Sequence, residues 1–113
     1  MSDPFAIIRQ SDGTLLVELG PRGAIDIDLS SGWCAHVIAE VRRQVPPRIV
    51  VDASRSPSVA SAFFSGLIRI RESSGLGSGE LRVRLGSDRA CAAAKLLGME
   101  QLVTLEPPPK AAN

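Results

Sequence analysis

Residues 48–71 read RIVVDASRSPSVASAFFSGLIRIR, an apolar run closed by an aspartate, a serine-rich loop, and a helical pattern opening on a serine and two phenylalanines. The run Ile49-Val50-Val51 ahead of Asp52 predicts a short strand covered on both faces of a sheet. A loop leaving such a strand is where function concentrates in α/β proteins. Ser61 stands where an N-cap is expected, and Phe63, Phe64, Leu67, Ile68 and Ile70 are more apolar residues than one buried helical face requires. Part of that surface is therefore expected to meet a partner.

Outward from this segment the punctuation is regular. Phe5 to Leu19 is two apolar segments around Ser11-Asp12-Gly13, and Asp-Gly between strand-like runs predicts a hairpin. Gly20-Pro21-Arg22-Gly23 breaks the second strand, and Ala24 to Ile27 is expected to be a short extended piece. Ser30 or Ser31 then offers an N-cap for a first helix, whose apolar face is Trp33, Val37, Ile38, Val41 and Val45. Pro46-Pro47 ends it.

The second helix stops in the glycine and serine run 73–79. Leu81-Arg82-Val83-Arg84-Leu85 alternates apolar and basic residues, which predicts a strand with one wetted face, nearer an edge. Gly86-Ser87-Asp88 introduces a third helix over 89–97, with Ala93, Leu96 and Leu97 as its inner stripe and Gly98 as its stop. Leu102 to Leu105 forms the last strand, and residues 107–113 are a Pro-rich tail without a core-forming pattern. The expected fold is thus α/β: one domain over residues 1–106, a mixed sheet opened by a hairpin, with crossover helices.

Bulk properties narrow the function. With 13 Lys and Arg against 12 Asp and Glu, there is no net field to gather nucleic acid or an anionic membrane. Aromatic content of 4% without tyrosine gives no stacking platform for bases. Cys34 and Cys91 lie too far apart for a zinc knuckle or a redox CxxC, and read as small apolar residues inside helices. No positively charged and then apolar leader follows Met1, and no apolar run approaches the roughly 20 residues of a membrane span. A reduced, cytoplasmic protein is expected.

Catalytic and metal constellations are weak. Cys34 and His36 are two positions apart on a helix and face different sides, so they do not form a nucleophile and base. Asp26, Asp28 and Asp52 do not repeat a ligand spacing, and no metal or other cofactor is expected. The glycines at 66, 75, 77 and 79 are followed by no lysine and do not make a phosphate-binding loop. Arg69, Arg71, Arg82 and Arg84 read as solvated faces, with joint binding of an acidic partner as the other reading. A small hydrolase or transferase using Ser61 or Cys34 as nucleophile is the rival reading, but the one histidine, His36, sits in the first helix and no oxyanion motif is visible, so no enzymatic activity is expected.

The order of elements and three short motifs resemble the STAS domain, the fold of anti-sigma factor antagonists and of the cytoplasmic tails of sulfate transporters. Gly23-Ala24-Ile25-Asp26 is similar to the family's glycine and aspartate before the first helix. Ile49-Val50-Val51-Asp52-Ala53-Ser54 is similar to its central strand with an Asp-x-Ser ending. Leu96-Leu97-Gly98-Met99-Glu100-Gln101-Leu102 is similar to its leucine-rich helix end and return into the last strand. The family carries an Asp-Ser-Ser-Gly-Leu-Gly-like segment at the start of the second helix, whose first serine is phosphorylated by an anti-sigma kinase. In this chain the register from Asp52 puts Ala60, Ser61, Ala62 and Phe63 there, keeping the serine and replacing the aspartate, the second serine and the glycine.

The resemblance implies a non-catalytic interaction module that binds a protein through Ser54, Arg55, Ser58, Ala60, Ser61, Ala62, Phe63 and Phe64. Ser61 is the candidate phosphorylation site, with simple N-capping as its other reading; Phe63 is the expected contact and Phe64 is expected to be core. The implied partner is an anti-sigma serine kinase, a subunit of a larger complex, including transport machinery, or a second copy of the chain.

Overall fold

The computed structural model describes residues 5–22, 24, 27–77 and 79–108. A hairpin of β1 (Phe5–Arg9) and β2 (Leu15–Leu19) opens the chain. It closes as predicted: the Gln10 N–H donates to the Thr14 carbonyl at 2.8 Å, and Asp12 Oδ1 accepts the Thr14 N–H at 2.9 Å. Gly13 takes a φ of 90°, which a β-carbon would strain.

Then follow α1 (Ile27–Arg43), β3 (Ile49–Ala53), α2 (Ser61–Ser74), β4 (Leu81–Leu85), α3 (Asp88–Leu96), a 3-10 turn at Met99–Gln101 and β5 (Thr104–Glu106). The sheet runs β1-β2-β3-β4-β5, antiparallel within the hairpin and parallel thereafter. Each parallel neighbour is reached through a helix, and right-handed crossovers between sequential strands lay all three helices on one face. This is the α/β fold with a hairpin-opened mixed sheet that the sequence predicts.

Register aligns the core in rows. Ile7, Val17, Val51, Val83 and Leu105 stand abreast on the helix side, as do Leu15, Ile49 and Leu81. They share one apolar cluster with Trp33, Val37 and Val41 of α1 and with Phe63, Leu67 and Ile70 of α2. The other face carries no helix, and its central row is Ala6, Glu18, Asp52, Arg84 and Glu106.

That open face corrects two expectations. β3 is covered by helices on one side only; Val50 is buried between its register neighbours Leu16 and Arg82, and Asp52 is half-buried. β4 alternates because a whole face is open to water, while β3 and β5 flank it on either side.

Other boundaries shift for local reasons. α1 already includes Ile27, so Ala24 to Ile27 is not one extended piece, and Ser30 and Ser31 lie within the helix. Val45 falls beyond the end of α1 and is exposed. The inner face of α3 is Ala90 and Ala94, small residues that permit close packing, whereas Leu96 and Leu97 at its end are 87% and 60% exposed. The last strand begins at Thr104 because the 3-10 turn uses the preceding residues, with the Leu102 and Val103 N–H groups donating to Met99. Gly23, Ile25, Asp26 and the tail from residue 109 lie outside the described residues.

Candidate functional site

The parallel strands β2, β3 and β4 end together, and the loops leaving their carboxyl ends are the usual place for a site in an open α/β sheet. Here the β3–α2 loop, residues 54–60, is held from both sides. Towards β2, the buried Ser56 hydroxyl donates to the carbonyls of Pro21 at 3.1 Å and Gly20 at 3.3 Å, and the Ala60 N–H donates to Ala24 at 2.8 Å. Towards β4, Gly86 lies so close that a β-carbon there would stand 2.5 Å from the Ser56 carbonyl oxygen and 2.6 Å from that of Ser54. The Ser87 hydroxyl donates to the Pro57 carbonyl and also caps α3 by accepting the Ala90 N–H at 3.0 Å. Within the loop, Asp52 Oδ1 accepts the Ser54 N–H at 3.0 Å and the Ser56 N–H closes a turn on Ala53.

The start of α2 differs from the expectation by one residue. Ala60, at φ −93° and ψ 160°, is the N-cap, and no side chain caps the helix. Ser61 is the first helical residue, exposed, and its hydroxyl has no hydrogen-bond partner among the described residues. It therefore does not cap, and the capping reading falls. No acidic residue occupies the first turn, so no side chain of that turn offsets the positive end of the helix dipole.

Phe63 is not a surface contact. It is 0% exposed, with its ring centroid 5.8 Å from Trp33 and 5.7 Å from Phe64. Phe63, Leu67 and Ile70 follow the i, i+4, i+7 line that faces the sheet and α1, and this periodicity outweighs a register in which the position resembles an exposed glycine. Phe64, at 5%, is core as expected. The surplus of apolar residues disappears, because α2 lies against both α1 and the sheet and only Ile68 of the five is half-buried. Of the expected contacts, Arg55 and Ser61 are exposed, while Ser54, Ser58, Ala60 and Ala62 are half-buried around them.

Beside the loop, on the open face of the sheet, Asp52, Ser54, Arg84, Glu106 and Pro107 line a shallow concavity of about 340 Å³. Arg84 is engaged there, with Nε 3.1 Å from Glu106 Oε1 and Nη1 3.9 Å from Asp52 Oδ2. Sequence reasoning overlooked Ser56, Gly86 and Ser87 as the residues that fix the loop. Their role depends on contacts across three loops, and only the Gly-Ser pair before α3 hints at it.

The remaining candidates do not converge. The Cys34 thiol is buried and donates to the Gly66 carbonyl at 3.4 Å, and burial pushes its pKa above the ordinary 9.0. His36 is exposed, with Nδ1 2.9 Å from the Gly32 carbonyl and its ring 5.2 Å from that of Phe5. Asp26 and the Asp28 side chain lie outside the description. Among the described residues no group of three or more His, Cys, Asp and Glu side chains could hold a metal ion, and no helix is long and apolar enough to cross a membrane. No protein-family model matches the sequence, and no curated protein matches it.

Proposed function

We propose that this chain is a STAS-like, non-catalytic interaction module of the cytoplasm that binds a protein partner through the β3–α2 loop and the first turn of α2. The observation that carries this reading is Ser61, an exposed residue whose hydroxyl has no hydrogen-bond partner among the described residues, on a helix start without a side-chain cap and beside a loop fixed by hydrogen bonds on both sides. A rigid loop needs little ordering when it docks. Arg55, Ser58 and Ser61 supply the polar contacts, and Ala60 and Ala62 let the partner approach the backbone.

Phosphorylation of Ser61 would place a charge of about −1.5 to −2 within that surface and weaken docking by repulsion and by the cost of desolvating the phosphate. Incubation with an anti-sigma-type serine kinase followed by mass spectrometry tests the switch. The expected product carries one phosphate, at Ser61. Modification confined to other residues overturns it. Binding is tested separately by Arg55→Glu, which is expected to lose the partner captured by the wild type.

A second reading rests on Ala60, which leaves the helix start without the acceptor that an aspartate would supply. Here the module is a constitutive scaffold in a larger complex, such as transport machinery, and Ser61→Asp binds the partner as tightly as the wild type. Stoichiometric labelling of Ser61 by a serine-reactive probe would instead favour a hydrolase.

A further inference from the structure

We propose that β1 is an open pairing edge on which a second copy of this chain docks, antiparallel, about a two-fold axis at Ile7. Backbone directions follow from the hairpin. Gln10 pairs with Thr14 by hydrogen bond, so Ile8 and Ala6 also turn their N–H and C=O groups toward β2. Phe5, Ile7 and Arg9 turn theirs outward, and among the described residues no sixth strand lies beyond them.

The two edges of the sheet are treated differently. β5 has three residues and runs into Pro107-Pro108, which blunts it. β1 has five residues in unbroken register without proline or bulge, and its lone charge, Arg9, is paired to Glu40 at 3.4 Å on the helix side. Such an edge is a template for another strand.

The occupant follows from self-complementarity. Centring the pair on Ile7 is the register that pairs all five residues of both strands, and it places each outward-facing N–H opposite an outward-facing C=O. Ile7 meets Ile7 of the second copy, Ala6 meets its Ile8, and Phe5 meets its Arg9. Centring on Arg9 would set two guanidinium groups face to face, a destabilising arrangement. In the Ile7 register Arg9 instead meets an aromatic ring, and its Nε is buried without a hydrogen-bond partner among the described residues. Phe5, Ile7, Leu15, His36 and Ala39 also line a groove of about 490 Å³ between β1 and α1, over which the inward side chains of the added strand would lie. The dyad directs the two Ser61 sites to opposite ends of the joined sheet, so dimer formation and partner binding at Ser61 fail independently.

Sedimentation velocity tests the proposal. The wild type is expected at twice the 12.0 kDa chain mass at sub-millimolar concentration. Ile7→Lys and Ile7→Glu, each alone, are expected at the single mass with an unchanged circular dichroism spectrum, because like charges then oppose each other at the axis. An equimolar mixture is expected to recover the doubled mass. A wild type that stays at the single mass, or an Ile7→Lys protein that remains double, overturns the proposal. Amide exchange on the wild type needs no variant: protection at Phe5, Ile7 and Arg9 is expected to fall on dilution while that at Ala6 and Ile8 holds, and concentration-independent exchange overturns it.

Discussion

Replacing Phe63 by alanine separates a core ring from a docking ring. The side chain is 0% exposed and packs against Trp33 and Phe64 at centroid separations of 5.8 and 5.7 Å. Truncation removes the ring from an apolar site and leaves a cavity that the sheet and α1 cannot fully close, a combination that costs about 3–5 kcal/mol for phenylalanine. A domain of this size has roughly 5–15 kcal/mol in total, so the loss is a large fraction of it. With a urea m-value of about 1.5 kcal/mol/M, the unfolding midpoint should fall by roughly 2–3 M. Trp33 is the one tryptophan in the chain and lies against the substituted ring, so its fluorescence reports on this region of the core. A midpoint displaced by less than about 0.5 M would mean that the ring contributes little to the core, and the packing argument would fail.

Three further outcomes follow from the same contacts. Gly86→Ala pushes a β-carbon against two backbone oxygens, at 2.5 and 2.6 Å, and should cost about 1–3 kcal/mol in chemical denaturation; an unchanged midpoint would show that the loop gives way freely. Ala60→Asp supplies the missing acceptor at a position that already has N-cap geometry, and should stabilise by about 1 kcal/mol at neutral pH, a gain that disappears once the carboxylate is protonated. Glu40 has its pKa held below the ordinary 4.5 chiefly by its hydrogen bond to Arg43, with Arg9 adding to the effect. Its contribution is therefore complete above pH 4.5 and is lost as pH falls through the lower folded-state value, so Glu40→Gln should flatten the acid limb of the stability profile, and an identical limb would refute the assignment.

The elements were legible in the sequence because their periods are clean. LRVRL alternates with period two, Asp12-Gly13 marks the turn between two apolar runs, and Trp33, Val37 and Val41 recur at helical spacing, so the hairpin, crossover helices and mixed sheet follow from local pattern. Errors arose where a tertiary contact decided a local question. Ala60 rather than Ser61 is the N-cap of α2, and its N–H is tied to Ala24 in another loop, a contact that no capping rule anticipates. On α3, hydrophobicity alone favours Leu96 and Leu97 as the inner stripe, yet Ala90 and Ala94 face the sheet because short side chains allow the helix to approach it. Phe63 shares helical spacing with Leu67 and Ile70, and that spacing, not the motif register, decides its burial.

Moving Phe63 into the core changes the character of the candidate site. The exposed described residues of the β3–α2 loop and the first turn of α2 are Arg55, Pro57 and Ser61, so the proposed partner would gain affinity there from hydrogen bonds and charge with little apolar burial. Such contacts are screened by salt, and a single added phosphate alters a larger share of them than it would at a greasy interface. Exposed large apolar side chains among the described residues lie elsewhere: Leu96 and Leu97 at the end of α3, Val45 after α1, and Ile8 on β1. Of these, Ile8 alone sits on an edge whose outward backbone groups pair with no strand among the described residues, which is why the proposed self-association is placed at β1 and the proposed charge-sensitive docking at the start of α2.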